Sequence, residues 1–240
     1  MSSTIIVIDG SIGVGKSSLL DNLMFHCLYD SDKCYFYKSP LNDYDEPSTI
    51  SREDFYIHPN RNFYGFHSQV IKSFKNNVTH PEECIQEDSI HFHDTHLISC
   101  LAYCRAGRNM GYLSNSQYEK LKAKIRTILS NYPCQIPQYV IRLISTMESS
   151  INCIRRHGIR GECRISKQYL QFIANSQFYW NEKLERAYGI KTLTIFKDAS
   201  DSDVDVIDKV WNEFRYLNNK GCSSLFEVEE GIFQCFNYCF

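Results

Sequence analysis

Eight residues near the amino terminus constrain this chain more than any other feature. Gly10-Ser11-Ile12-Gly13-Val14-Gly15-Lys16-Ser17 fits the pattern G-x-x-x-x-G-K-[ST] in full. It follows Ile5-Ile6-Val7-Ile8, a β-branched run that reads as a strand buried on both faces, as in a parallel sheet. It opens Ser17-Ser18-Leu19-Leu20-Asp21-Asn22-Leu23-Met24, which has helical spacing. The glycines let the backbone curl so that successive N–H groups point at a phosphate chain, and the helix N-terminus adds its positive partial charge. Lys16 would reach the β- and γ-phosphates, and the Ser17 hydroxyl would bind Mg²⁺. The context of strand, turn and helix argues against a chance glycine-rich turn.

The rest of the chain keeps the same alternation. Cys34-Tyr35-Phe36-Tyr37 reads as a second strand, and residues 39–51, with Pro40 and Pro47, as a loop. Residues 61–76 place Phe63, Phe66, Val70, Ile71 and Phe74 near one helical stripe. Cys84-Ile85-Gln86 is expected as a third strand with Glu87 at its carboxyl end. Helices are expected over about 92–106 and 114–130, a strand over Tyr139 to Ile144, and a helix over Ser149 to His157. Gly158 and Gly161 interrupt an Arg-rich segment before a helix at about 166–187. Lys191 to Phe196 reads as the last core strand and 203–217 as the last helix. This order predicts an α/β fold with a parallel sheet flanked by helices. The expected domain spans 1–217, followed by an aromatic tail over 218–240.

Composition excludes several classes. The 240 residues allow one large domain or two small ones. Hydrophobic residues make up 43% and charged residues 22%, so the chain reads as globular rather than disordered. A net charge of −2 argues against a strongly basic binder of duplex nucleic acid. No apolar stretch is long enough to span a membrane, and the amino terminus has no basic segment of a signal peptide. The 11 cysteines show no paired C-x-x-C, so zinc is not expected and free thiols are, in a reducing cytoplasmic setting. His91, His93 and His96 cluster, but on the expected helix only two at a time share a face, so they are read as structural.

From these motifs the sequence resembles the deoxynucleoside kinase family. Ile6 to Ser18 looks like that family's opening, with an acidic residue, Asp9, before the first glycine. Tyr56 and Pro59 look like its Met-Tyr-x-x-Pro segment. Phe66-His67 falls where the family has Phe-Gln, and Glu87-Asp88-Ser89 where it has Glu-Arg-Ser. Arg155-Arg156-His157-Gly158-Ile159-Arg160-Gly161-Glu162 resembles its Arg-rich lid, and the following helix, with Tyr169-Leu170 and Trp180, is similar too. The resemblance implies transfer of the ATP γ-phosphate to the 5′-hydroxyl of a deoxynucleoside, with Mg²⁺. Gly10, Gly13, Val14, Gly15, Lys16, Ser17, Ser18 and Arg155 would hold the ATP phosphates. Ser17 and Glu87 would serve the metal, and Arg155, Arg156 and Arg160 of the lid would neutralise the transferring phosphoryl group. Tyr56 with Glu162 would clamp the sugar. Tyr44, Phe66 and Phe92 would stack on the base, and His67 and Asp88 would also contact the substrate.

Departures from the family's pattern bear on activity. The family's general base is a Glu in a Glu-Pro segment after the second strand, and that position falls on Ser39-Pro40. A serine does not accept the proton as a carboxylate does. Glu46-Pro47 lies seven residues on and is the candidate substitute. Asp88 reverses the charge of the family's arginine, and His67 replaces its base-reading glutamine. Two readings therefore stand: an active kinase with an unusual acceptor site, or a kinase-derived binding or structural subunit. Family members are often dimers, which implies a homodimer or a protein partner through helices or the tail. Alternation at Ile232, Gln234, Phe236 and Tyr238 is compatible with an added edge strand. The divergence and the many cysteines would suit a viral or otherwise fast-evolving protein.

Overall fold

The computed structural model describes residues 3–27, 34–39, 50–78, 89–197, 205–210 and 212. In chain order the elements are β1 (Thr4–Gly10), α1 (Lys16–Cys27), β2 (Cys34–Tyr37), α2 (Arg52–Ile57), α3 (Pro59–Val78), β3 (Ile90–Asp94), α4 (Leu97–Asn109), α5 (Asn115–Asn131), β4 (Tyr139–Ile144), α6 (Met147–His157), α7 (Lys167–Tyr188) and β5 (Lys191–Phe196). Residues 205–210 are also helical. The strands form one sheet in the order β2-β3-β1-β4-β5, and every pairing is parallel. The parallel α/β expectation holds.

The β-branched run explains the central strand. Ile6, Val7 and Ile8 are at most 1% exposed because β1 has strands on both sides and helices on both faces. Burial of such a side chain contributes about 1.5–3 kcal/mol. Ile6 and Ile8 point to the face covered by Leu19, Leu20 and Leu23 of α1 and by Val206, Ile207 and Val210. Ile5 and Val7 point to the opposite face, where α3, α4, α5 and α7 pack. The chain leaves β1 with β3 on one side and β4 on the other. The carboxyl end of β1 is thus the point where open α/β sheets form their ligand crevice.

One expectation is overturned. Residues 92–94 belong to strand β3, not to a helix, and α4 starts at Leu97. Ile90-His91-Phe92-His93-Asp94 alternates with period two and pairs with β1 and β2 together. His91 stacks on Tyr35 at 5.0 Å and His93 on Tyr37 at 4.5 Å, so cross-strand ring contacts cover the imidazoles. His91 also bonds Ser89 Oγ at 2.7 Å and Tyr37 Oη at 3.1 Å. His96 caps α4. Among the described residues no cluster of histidine, cysteine, aspartate and glutamate is arranged to hold a metal. The expected strand at 84–86, most of the helix at 203–217 and the 218–240 tail lie outside the described residues. No described helix is long and apolar enough to cross a membrane.

Candidate active site at the carboxyl edge of the sheet

The glycine loop joins β1 to α1. Gly13 has φ +80° and Gly15 φ +94°, left-handed conformations that glycine takes without strain. A Cβ at Gly13 would lie 2.5 Å from the Ser150 carbonyl oxygen of α6, so the lack of a side chain also permits close packing. A Cβ at Gly10 would lie 2.8 Å from Val14 Cγ2 and 2.8 Å from the Leu143 carbonyl oxygen of β4, so this position too must stay bare. Lys16 donates from Nζ to the carbonyl oxygens of Gly10 (2.9 Å) and Ser11 (2.8 Å). Burial lowers the Lys16 pKa, while the charges of Asp94, Asp9 and Glu162 act to raise it. Ser17 donates from Oγ to Asp94 Oδ2 at 2.5 Å, and Ser18 stands exposed on the first turn of α1.

Asp94 is the acid at the carboxyl end of β3, where sequence reasoning placed Glu87. Glu87 and Asp88 lie outside the described residues, as do Tyr44 and Glu46. Thr95 follows with φ +72° and donates from Oγ1 to Asp94 Oδ1 at 3.3 Å. The signal for Asp94 was the alternation of Ile90 and Phe92 ending on an acid. Asp9 is buried behind the loop and accepts from Gln177 Nε2 of α7 at 3.1 Å. Burial raises its pKa, and the Lys16 charge counters. Tyr103 of α4 donates to the Gly10 carbonyl at 3.4 Å. Gln177, Tyr103 and Lys197, whose Nζ would lie 3.3 Å from a Cβ at Gly15, carry no motif that marks them in the sequence.

The Arg-rich segment begins in α6 and turns back onto α2. Gly158 ends α6 in the left-handed region. Gly161, at φ +88°, sits so close to α2 that a Cβ would lie 3.0 Å from the Glu53 carbonyl oxygen. Arg155 is exposed, and Arg160 pairs with Glu53 at 3.1 Å. Glu162 is buried at 5% exposure, 4.0 Å from Arg52. Burial raises its pKa, while Arg52, His157 and Lys16 lower it. Tyr56 lies within electrostatic reach of Glu162, and burial pushes its phenol well up. The structure therefore brings Lys16 and Tyr56 within electrostatic reach of Glu162.

The aromatic residues divide differently from the expectation. Phe66 stacks on Phe55 at 4.3 Å on the α3 side of the sheet. Phe92 lies on the opposite side, fully buried with Ile6 and Ile8, and stacks on Phe36 at 5.2 Å. Strand alternation puts Asp94 and Phe92 on the face of α1, so Phe92 cannot share a base slot with Phe66. His67 is 5% exposed, packs against Phe63 at 4.5 Å, and has neither ring nitrogen hydrogen-bonded. Burial lowers its pKa to about 3, so the ring is neutral near pH 7. A buried polar group left unpaired costs about 1–3 kcal/mol.

The family profile described as "Deoxynucleoside kinase" matches residues 6–218. This chain belongs to the deoxynucleoside kinase family. Among solved structures, the chain is similar to deoxyadenosine kinase from M. mycoides with bound dCTP, at TM-score 0.67 and 15% identity, over 89% of this chain and 100% of that one. The same M. mycoides enzyme with the products dCMP and a flexible dCDP bound matches at TM-score 0.67 and 17% identity, over 89% and 100% of the two chains. Its form with bound dATP matches at TM-score 0.67 and 14% identity, over 88% and 100%. At these identities the likeness concerns the fold. No curated protein sequence matches this chain.

Proposed function

We propose that the protein transfers the γ-phosphate of ATP to the 5′-hydroxyl of a deoxynucleoside. One observation carries the reading: the glycine loop, Lys16 and the Ser17–Asp94 pair meet at the carboxyl end of the central strand. A hydroxyl and a carboxylate 2.5 Å apart make a hard oxygen donor set suited to Mg²⁺. When bound, Mg²⁺ would draw charge from the β- and γ-phosphate oxygens. Lys16 now donates to two loop carbonyls and is placed to turn those N–H groups to phosphate oxygens. The N–H groups of Gly13 to Ser18 hold the phosphate chain through the helix N-terminus. Tyr56 and the buried Glu162 orient the sugar. Arg155 and Arg160 would meet the transferring charge after Arg160 leaves Glu53.

A second reading, a nucleotide-binding or structural subunit, is favoured by Ser39. It is buried just after β2, where the family's pattern calls for a carboxylate. Glu46 remains the proposed substitute base. The test is phosphate transfer from Mg-ATP to each of the four deoxynucleosides, with Lys16→Ala beside the wild type. Monophosphate formation that falls by about 10²-fold or more in the variant, with an unchanged melting temperature, is the expected result. Product from neither protein, with ATP still bound, would favour the binding subunit.

A further inference from the structure

Strand β5 closes the sheet on one side and leaves part of one face open. It pairs with β4, and among the described residues no strand pairs with its outer side. Strand alternation divides its side chains between two faces. Ile195 turns to the α1 face, in the core cluster that holds Val206, Ile207 and Val210. Thr194 and Phe196 turn to the α7 face. There Arg142 of β4 donates to Thr194 Oγ1 at 2.6 Å and lies 3.9 Å over the Phe178 ring of α7. Phe178 is 47% exposed and Phe196 53%. The two phenyl rings flank Arg142 and Thr194 in one strip across α7, β4 and β5. Open peptide groups beside exposed apolar side chains make a template for strand addition.

We propose that residues 231–240 of this same chain add to the outer side of β5 as a sixth strand, with Ile232, Phe236 and Tyr238 over the strip between Phe178 and Phe196. Position, length and charge all favour this occupant. Residues 205–210 share the core cluster of Ile195, so the chain that follows starts close to β5. Residues 213–240 have an extended reach of about 90 Å, several times the length of a six-residue strand. Ile232, Gln234, Phe236 and Tyr238 recur with the period of a strand. Glu227, Glu229 and Glu230 precede them, and Lys191 and Lys197 stand at the two ends of β5. The segment lies beyond residue 218, where the match to the family profile ends, so the strand is an addition to the kinase fold.

The test is hydrogen exchange over residues 191–196, followed by mass spectrometry and independent of any substrate. The full chain is compared with a chain ending at residue 217 and with the full-length variants Phe236→Ser, Phe196→Ser and the two combined. Removal of the tail is expected to speed exchange of the outward amides of β5 by about tenfold or more. Each single variant should speed it too, and the double variant should add little to the larger single effect, because both substitutions break one contact. That cycle decides the matter even where the shortened chain does not fold. Equal exchange over β5 in the full chain and the single variants overturns the proposal. Protection that fades on dilution, as light scattering reports a dimer turning to monomer, also overturns it and assigns the edge to a second copy of the chain.

Discussion

Thr95 is β-branched and yet sits at φ +72°, a conformation that costs such a residue about 1–3 kcal/mol. Its N–H donates to the Ile8 carbonyl at 3.3 Å and its hydroxyl to Asp94, so the turn holds the carboxylate toward Ser17. Strain here accompanies a functional arrangement. Asp94→Asn keeps the shape and a hydrogen bond to Ser17 while removing the charge that a cation needs. The Mg²⁺ concentration for half-maximal phosphate transfer should then rise about tenfold or more. A magnesium titration of the variant with the same midpoint as wild type would remove Asp94 from the metal site. In the sequence, Lys16 and Ser17 announce themselves through the glycine spacing. Asp94 is marked only by the alternation of Ile90 and Phe92 that ends on it, and Glu87-Asp88-Ser89 resembles the family more closely.

Between elements, close approach decides more than amphipathic pattern. α4 meets α3 at Gly107, where a Cβ would lie 2.2 Å from the tip of the Phe63 ring. Gly107→Ala should therefore destabilise the fold by about 1–3 kcal/mol through overpacking. Urea unfolding would show a lower midpoint, and an unchanged midpoint would mean that Phe63 moves aside freely. The same logic governs the lid segment, where Gly161 lets the backbone lie against Glu53 and Tyr56. Helices α3, α5 and α7 were readable from their apolar spacing because each presents one stripe to the core. β3 was not, because its polar residues are buried by neighbouring strands rather than turned to water. His91 and His93 look like a helix surface in the chain and become part of a ring stack in the sheet.

For the molecule as a whole, buried neutral histidines make stability depend on pH. Burial lowers the pKa of His67 to about 3 and of His96 to about 4, and His93 is also held well below its ordinary value. The unfolded chain binds protons at these rings from about pH 6.5 downward, while the native state does not. Their contribution is therefore complete above about pH 6.5 and is lost on acidification toward pH 4 and below. The slope is up to about 1.4 kcal/mol per pH unit for each ring. Asp9 and Glu162, with pKa values raised by burial, act in the opposite direction. The His67 share is isolated by His67→Phe, whose melting temperature should fall less than wild type between pH 6.5 and 4.5. Parallel curves for the two proteins would contradict it. The sequence by itself determined the central strand, the glycine loop and the α/β alternation, because these depend on local spacing and backbone freedom. Tertiary structure alone decided that Asp94 faces Ser17 and that Phe92 lies on the other side of the sheet from Phe66. Those relations join residues far apart in the chain, and only the pairing of β3 with β1 and the packing of four helices bring them together.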